Sequence, residues 1–274
     1  MKTIIDDKTR SDFDVKEILK FRGLWWNLSA RDVLIRYKQT FLGVIWAVAR
    51  PMINIVIFGF LSQFIEQAPN MAERFVVVST GIILWTLIST SITDISNSIL
   101  ANANILTKVY FPKIIIPLSS MTVCLVDFFI SFVILVIFKF IFSGWPGPEF
   151  FLFPLFVIYA LVFSFSVGLS FATLNIKYRD IKFIIPFLLQ IGFYICPVFL
   201  SMHFYTEKLP SGLKALFLLN PLTGIVQGFK YCLLGQPLEI SLGYFISGIA
   251  ITVLLLLSGL RYFTTFEKSF ADYI

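Results

Sequence analysis

Charge is what this 274-residue chain has least of: Asp, Glu, Lys and Arg make up 14% of it, against roughly a quarter in ordinary globular proteins. So few charges cannot coat a water-facing surface, which excludes a soluble domain and any soluble catalytic engine within this chain. Histidine is reduced to one residue, His203, so an HExxH zinc site is absent and a Ser-His-Asp arrangement would have to use that residue. The three cysteines, Cys124, Cys196 and Cys232, lie in or beside apolar segments without CxxC or Cys/His metal spacing. Packing is their expected role, and a Cys196–Cys232 pair on the outer side stays open. No Gly-Lys pair occurs, so there is no G-x-x-x-x-G-K-[ST] phosphate loop, and ATP hydrolysis through that motif is excluded. No compact carboxylate pair marks a glycosidase-like site, and no low-complexity tract or long linker divides the chain.

What is present is apolar. Hydrophobic residues make up 58% of the chain and the mean hydropathy is +0.87. A membrane-crossing helix needs about 20 mainly apolar residues, and runs of that kind lie at about 43–65, 75–100, 114–142, 150–174, 183–200 and 240–260. The expected fold is therefore all-α, a polytopic membrane protein with six transmembrane helices. The apolar stretch at about 212–235 is broken at Asn220-Pro221 and by Gly224 and Gly228. It predicts two short helices in an outer re-entrant hairpin, because broken backbone is tolerated at membrane depth only against protein or a cavity.

The formal charge of +6 fits either nucleic-acid binding or the cytoplasmic excess of a membrane protein. Residues 1–20 mix acids and bases without a secretory signal pattern, which places the N-terminus in the cytoplasm, and six spans return the C-terminus to the same side. Only Arg74, Lys139, Lys208, Lys214 and Lys230 then fall outside, as the positive-inside rule requires, and nucleic-acid binding loses its support.

Phe21, Leu24, Trp25 and Leu28 fall at i, i+3, i+4 and i+7, with Ile35 one heptad on, and Arg22, Arg31, Arg36 and Lys38 occupy other faces. This pattern predicts an amphipathic helix lying in the cytoplasmic interface. The second span is rich in Ser, Thr and Asn, so it packs within the bundle or borders a hydrated path. Asp94 and Asp127 are intramembrane carboxylates with no basic partner evident in the sequence. Arg50-Pro51 belongs near the cytoplasmic end of the first span, since an Arg at mid-bilayer costs at least about 2.5–3.5 kcal/mol.

Several segments together resemble a family. RDVLIRYKQTFLGVIW at 31–46, LNIKYRDIK at 174–182 and NPLTGIVQGFKYCLLG at 220–235 are similar, in order and spacing, to the ABC type 2 polysaccharide-export permeases. The pattern is nearest to the O-antigen exporters and is shared by capsule and teichoic-acid exporters. The resemblance implies a homodimer in the bacterial inner membrane, completed by two copies of a cytoplasmic ATPase that uses ATP and Mg, with no cofactor bound by this chain. It implies export of a glycan on undecaprenyl pyrophosphate or a related lipid. Residues 102–113 would couple to the ATPase, through Asn104, Thr107, Lys108, Tyr110 and Pro112, with Tyr178, Arg179 and Asp180 at a second contact. Arg31, Arg36, Lys38 and Arg50 would attract the lipid pyrophosphate, the charge at Arg50 departing from the family's usual pattern. Trp46, Trp85, Asn220 and Pro221 would line or close the channel. An ion-driven flippase using Asp94 or Asp127 and a membrane transferase are the rival readings. With six spans, a cysteine introduced at Tyr273 reacts with impermeant thiol reagents only from the cytoplasmic side; reaction only from outside would overturn the topology.

Overall fold

The structure, a computed structural model, describes residues 15–38, 44–67, 70–106, 109–178, 180–267 and 270. Among the described residues there are helices and no strands. Two helices, α1 (Val15–Lys20) and α2 (Arg22–Lys38), precede the long α3 (Val44–Glu66) and α4 (Met71–Ala101). The one-turn α5 (Ala103–Leu106) leads to α6 (Ile115–Ser143), and a 3-10 turn at Pro148–Leu152 opens α7 (Phe153–Lys177). Then come α8 (Ile181–Ile195), α9 (Met202–Lys208), α10 (Ser211–Leu219), α11 (Pro221–Leu234) and α12 (Leu242–Glu267).

Five stretches are long and apolar enough to cross a membrane: Val48–Glu66, Met71–Ala101, Ile115–Ser143, Pro148–Lys177 and Leu242–Glu267. They coincide with five of the six expected spans. The sixth, expected at 183–200, contains only the 15-residue α8, about 22 Å of helix at 1.5 Å per residue. Residues Cys196–Leu200 continue it as buried, non-helical chain. The two short helices expected within 212–235 are present as α10 and α11. Asn220 accepts from the Leu222 amide at the start of α11, Pro221 stands at its first turn, and Gly235 ends it with φ 66°.

The centre of the bundle is α4, packed against α3, α6, α7, α8 and α11. Its Asn70 cap accepts from the amides of Ala72 and Glu73. Many of its hydroxyls are spent on their own helix: Ser79 and Thr80 donate to the Val76 carbonyl, Ser96 to Thr93 and Ser98 to Ile95. That removes the desolvation cost of burying them. Without a hydrophobic drive between helices in lipid, close approach supplies the cohesion.

The first four residues of the α2 stripe pack onto the protein, while Ile35 stays exposed. Leu28 is buried, and Phe21, Leu24 and Trp25 pack with it against Ile95, Ile115, Leu169 and Phe263, while the Trp25 indole donates to Thr122 Oγ1 at 3.1 Å. The exposed apolar residues of this segment are Leu19, Trp26, Leu34 and Ile35. An amphipathic pattern identifies an apolar face but not what covers it, and here a second core cluster does.

At the opposite end, the chain break after α8 is held by charges. Arg74 pairs with Glu66 at 2.6 Å, donates to Ser62 Oγ at 3.1 Å and to the Phe199 carbonyl at 3.0 Å. Glu66 accepts from the Ser201 amide at 2.7 Å, and Lys230 of α11 donates to the Pro197 carbonyl at 2.6 Å. These bonds satisfy backbone groups that leave the helical ladder in a low-dielectric setting. The three cysteines are buried and free, so the Cys196–Cys232 pairing does not form.

The Val198 carbonyl lies so close to Gly81 that a Cβ there would stand 1.9 Å from its oxygen. Gly81→Ala is therefore expected to destabilise by about 1–3 kcal/mol, read as a lower melting temperature in detergent. Gly212→Ala, where a Cβ meets nothing within 4 Å, is the control and melts near the parent; equal melting of the two variants would remove the Gly81 contact as a determinant.

Candidate functional site: a charged knot between two cavities

Arg36, near the end of α2, reaches two carboxylates on different helices. Its Nη2 donates to Asp94 Oδ2 of α4 at 2.6 Å, and its Nη1 donates to Asp127 Oδ2 of α6. The Tyr37 hydroxyl donates to Asp127 Oδ1, and the Cys124 thiol lies 3.3 Å from Asp94 Oδ2. The planar guanidinium suits this task, since its fork can serve two carboxylates in fixed directions. Burial works against the Arg36 charge, but Asp94 and Asp127 outweigh it and hold its pKa above the ordinary guanidinium value. Burial, followed by the bond to Asp127, raises the Tyr37 phenol.

The knot borders two cavities. One, of about 690 Å³, lies between α2, α5 and the ends of α4 and α6, and is lined by Arg31, Asp32, Asn97, Asn102 and Asn104 among others. The second, of about 430 Å³, lies between α3, α4 and α6, with Arg50, Pro51, Thr86, Thr90 and Ser131 in its wall. Arg36 and Asp94 line both. Arg31 also binds within the first, donating to Asp32 at 2.8 Å and to Asn102 Oδ1 at 2.8 Å, and so ties α2 to the turn before α5.

Beside this site, the end of α12 braces the start of α6. The Lys113 amide donates to Glu267 Oε1 at 3.0 Å, and its ammonium donates to the Glu267 carbonyl at 2.5 Å. Burial lowers the Lys113 pKa against the opposing pull of Glu267.

Comparison with known proteins decides the family. The description of the ABC-2 type transporter family matches residues 23–234, which takes in α2 through α11. The chain belongs to the ABC-2 type transporter family. This permease is 28% identical to the O-antigen export system permease protein RfbA of Klebsiella pneumoniae over 251 residues, 89% of this chain and 92% of that protein. It is 26% identical to the RfbA permease of Myxococcus xanthus, over 79% of this chain and 82% of that one. A second Klebsiella pneumoniae RfbA permease is 25% identical, with 89% and 92% covered. The permease is thus a multi-pass membrane transport subunit of an ABC transporter.

The residues singled out from sequence fall in three places. Asn104, Tyr110 and Pro112 lie in the connection between α4 and α6, where Asn104 and Tyr110 are exposed. Tyr178 and Asp180 are exposed in the turn between α7 and α8; Thr107, Lys108 and Arg179 lie outside the described residues. Arg31 and Arg36 come together at the first cavity, Arg50 at the second, and Lys38 is exposed at the end of α2. Trp85 is buried against Gly192 and Phe193 of α8. Asn220 and Pro221 form the corner between α10 and α11, and the Trp46 side chain lies outside the described residues. His203 is exposed and pairs with Glu207 at 3.0 Å, in its own helix.

Sequence reading missed the partner of Asp94 and Asp127. The sequence offered a competing partner instead: Asp32 stands four residues before Arg36 on the same helix, yet Asp32 is taken by Arg31 and Arg36 reaches the two later spans. Arg36→Gln leaves both carboxylates without the guanidinium and is expected to cost about 1–2 kcal/mol, discounted for partial exposure. Adding Asp94→Asn and Asp127→Asn is expected to recover most of that loss in melting experiments; strictly additive losses would show that the three groups are not coupled.

Proposed function

We propose that this permease exports a lipid-linked polysaccharide, with O-antigen on undecaprenyl pyrophosphate as the substrate, from the cytoplasm to the periplasm. The observation that carries the reading is the likeness to relatives named O-antigen export permeases, which extends over 92% of one of them. Two copies of the permease form the membrane unit in the bacterial inner membrane, with both termini in the cytoplasm, and two copies of a separate ATPase drive it. The ATPase handles ATP and Mg; this chain binds no cofactor. Capsule and teichoic-acid polymers are the alternative cargo within the same mechanism.

Several features support the reading. Exposed residues Asn104 and Tyr110, with Tyr178 and Asp180, sit at connections on the end of the bundle where α2 begins to pack, as surfaces receiving an ATPase would. In α8, Phe183, Phe187, Leu188 and Ile191 are exposed and Ile185 is the buried residue, and the polar Gln190 is exposed among them. A short helix of this kind gains from cover by a second copy, because an amide in hydrocarbon seeks a partner. Arg31, Lys38 and Arg50 provide positive charge for a pyrophosphate, which guanidinium groups bind through paired hydrogen bonds; Arg36 contributes beside its two carboxylates. The α10–α11 corner at Asn220-Pro221 shapes the periplasmic end. An ion-driven flippase is less well served, since Asp94 and Asp127 are both engaged by Arg36.

The test is co-purification with an ATPase encoded beside this gene and vanadate-sensitive export in proteoliposomes containing both. Tyr110→Ala combined with Asn104→Ala is expected to keep membrane insertion and lower stimulated ATP turnover about ten-fold, the scale of a lost contact worth about 1.4 kcal/mol. Transport by the purified permease alone, or dependence on a proton or sodium gradient, would overturn the proposal.

A further inference from the structure

The residues of α4 that face the two cavities form one stripe. Ile83, Thr86, Leu87 and Thr90 line the second cavity, Asn97, Ser98 and Ala101 line the first, and Asp94 lines both. Their spacing of three and four places them on one helix face. From Ile83 to Ala101 the stripe covers roughly 27 Å at 1.5 Å per residue, close to the hydrocarbon thickness of about 30 Å. Thr86, Thr90, Asp94, Asn97 and Ser98 give this stripe a polar middle, and Arg36 crosses it where it bonds to Asp94 and reaches Asp127.

We propose that the Arg36 knot is a removable partition, and that displacement of α2 from α4 and α6 joins the two cavities into one hydrated passage within a single permease chain. Three features make α2 a mobile bolt. Its hold on α4 and α6 at this level is ionic and partly exposed, with side-chain exposures of 36% for Arg36, 31% for Asp94 and 22% for Asp127. Ion pairs that touch water on both sides exchange for hydration at small cost, unlike fully buried ones. Arg31, five residues earlier on α2, bonds to Asn102 at the turn preceding α5, so a push on α5 reaches the α2 helix directly. Once Arg36 withdraws, Asp94 and Asp127 remain beside Thr90 and Asn97 as a polar lining that favours water.

This inference rests on the orientation and the ATPase partner proposed above, and its test separates the two. The reporter is Thr86→Cys, in the second cavity two turns from Asp94, and the reference is Asn97→Cys, in the first. Both are made with Cys124→Ser, in the full complex in inside-out vesicles. Labelling by an impermeant, charged methanethiosulfonate is followed with time. With Arg36 present, Thr86→Cys is expected to react about ten-fold or more slowly than Asn97→Cys, since a minor open state holds at most about a tenth of the molecules. Arg36→Ala should bring the two rates within about three-fold, the reporter then sharing the reference's open access. Locking the ATPase with a non-hydrolysable nucleotide should raise the Thr86→Cys rate in chains that keep Arg36. Equal rates with Arg36 present would show that no partition exists, and a Thr86→Cys rate unmoved by Arg36→Ala would place the barrier elsewhere. If Arg36→Ala fails to assemble, Asp94→Ala with Asp127→Ala releases the same bonds and must give the same acceleration. Acceleration by the substitutions without any nucleotide effect would keep the barrier but overturn its being moved by the ATPase. Failure to recover an ATPase at all would strike the functional reading and leave the substitution results standing.

Discussion

A guanidinium held between two carboxylates of different helices sets the geometry of the cavity-bearing end of this protein. Asp94 and Asp127 are partly exposed carboxylates on two helices that pack together, and within a bundle each is best held by a cation or by water. Arg36 answers both at once. It thereby fixes the rotation of α4 and α6 relative to each other and the height of α2 on them. The cavities on either side share Arg36 and Asp94 in their walls.

The same rule operates at the opposite end with different parts. There the difficulty is backbone: α8 stops after Ile195, and Cys196–Leu200 run buried without helical bonds. Arg74, Glu66 and Lys230 supply donors and an acceptor to those freed groups, and Gly81 allows the Val198 carbonyl to approach α4. The two charged assemblies sit near opposite ends of one helix, so α4 links the α2 side to the broken α8 segment as a single rigid element.

Much of this was legible from the residues. Five spans follow from apolar runs of sufficient length, and the α10–α11 corner follows from Asn220-Pro221, because a cap followed by proline starts a helix wherever it stands. The short α8 was not legible, since residues 183–200 are apolar throughout and composition does not reveal where a helix stops when the next residues are buried too. The environment of α2 was not legible either. Phe21, Leu24, Trp25 and Leu28 form the same stripe whether they meet lipid or Ile115 and Phe263, both being equally apolar. At the candidate site, the basic and acidic residues were each noticed but not joined, because Arg36 lies 58 residues from Asp94 and 91 from Asp127 and no local spacing relates them.

Helical class, membrane residence, five of the six expected long apolar segments and the lack of a phosphate-loop motif are written in composition and period, since each depends on residues near one another in the chain. Which carboxylates Arg36 neutralises, where α8 ends, what covers α2 and how two cavities come to share one wall depend on helices meeting across the bundle. Those outcomes come from pairing charges and backbone groups that water cannot reach, a balance that exists only once the helices have packed.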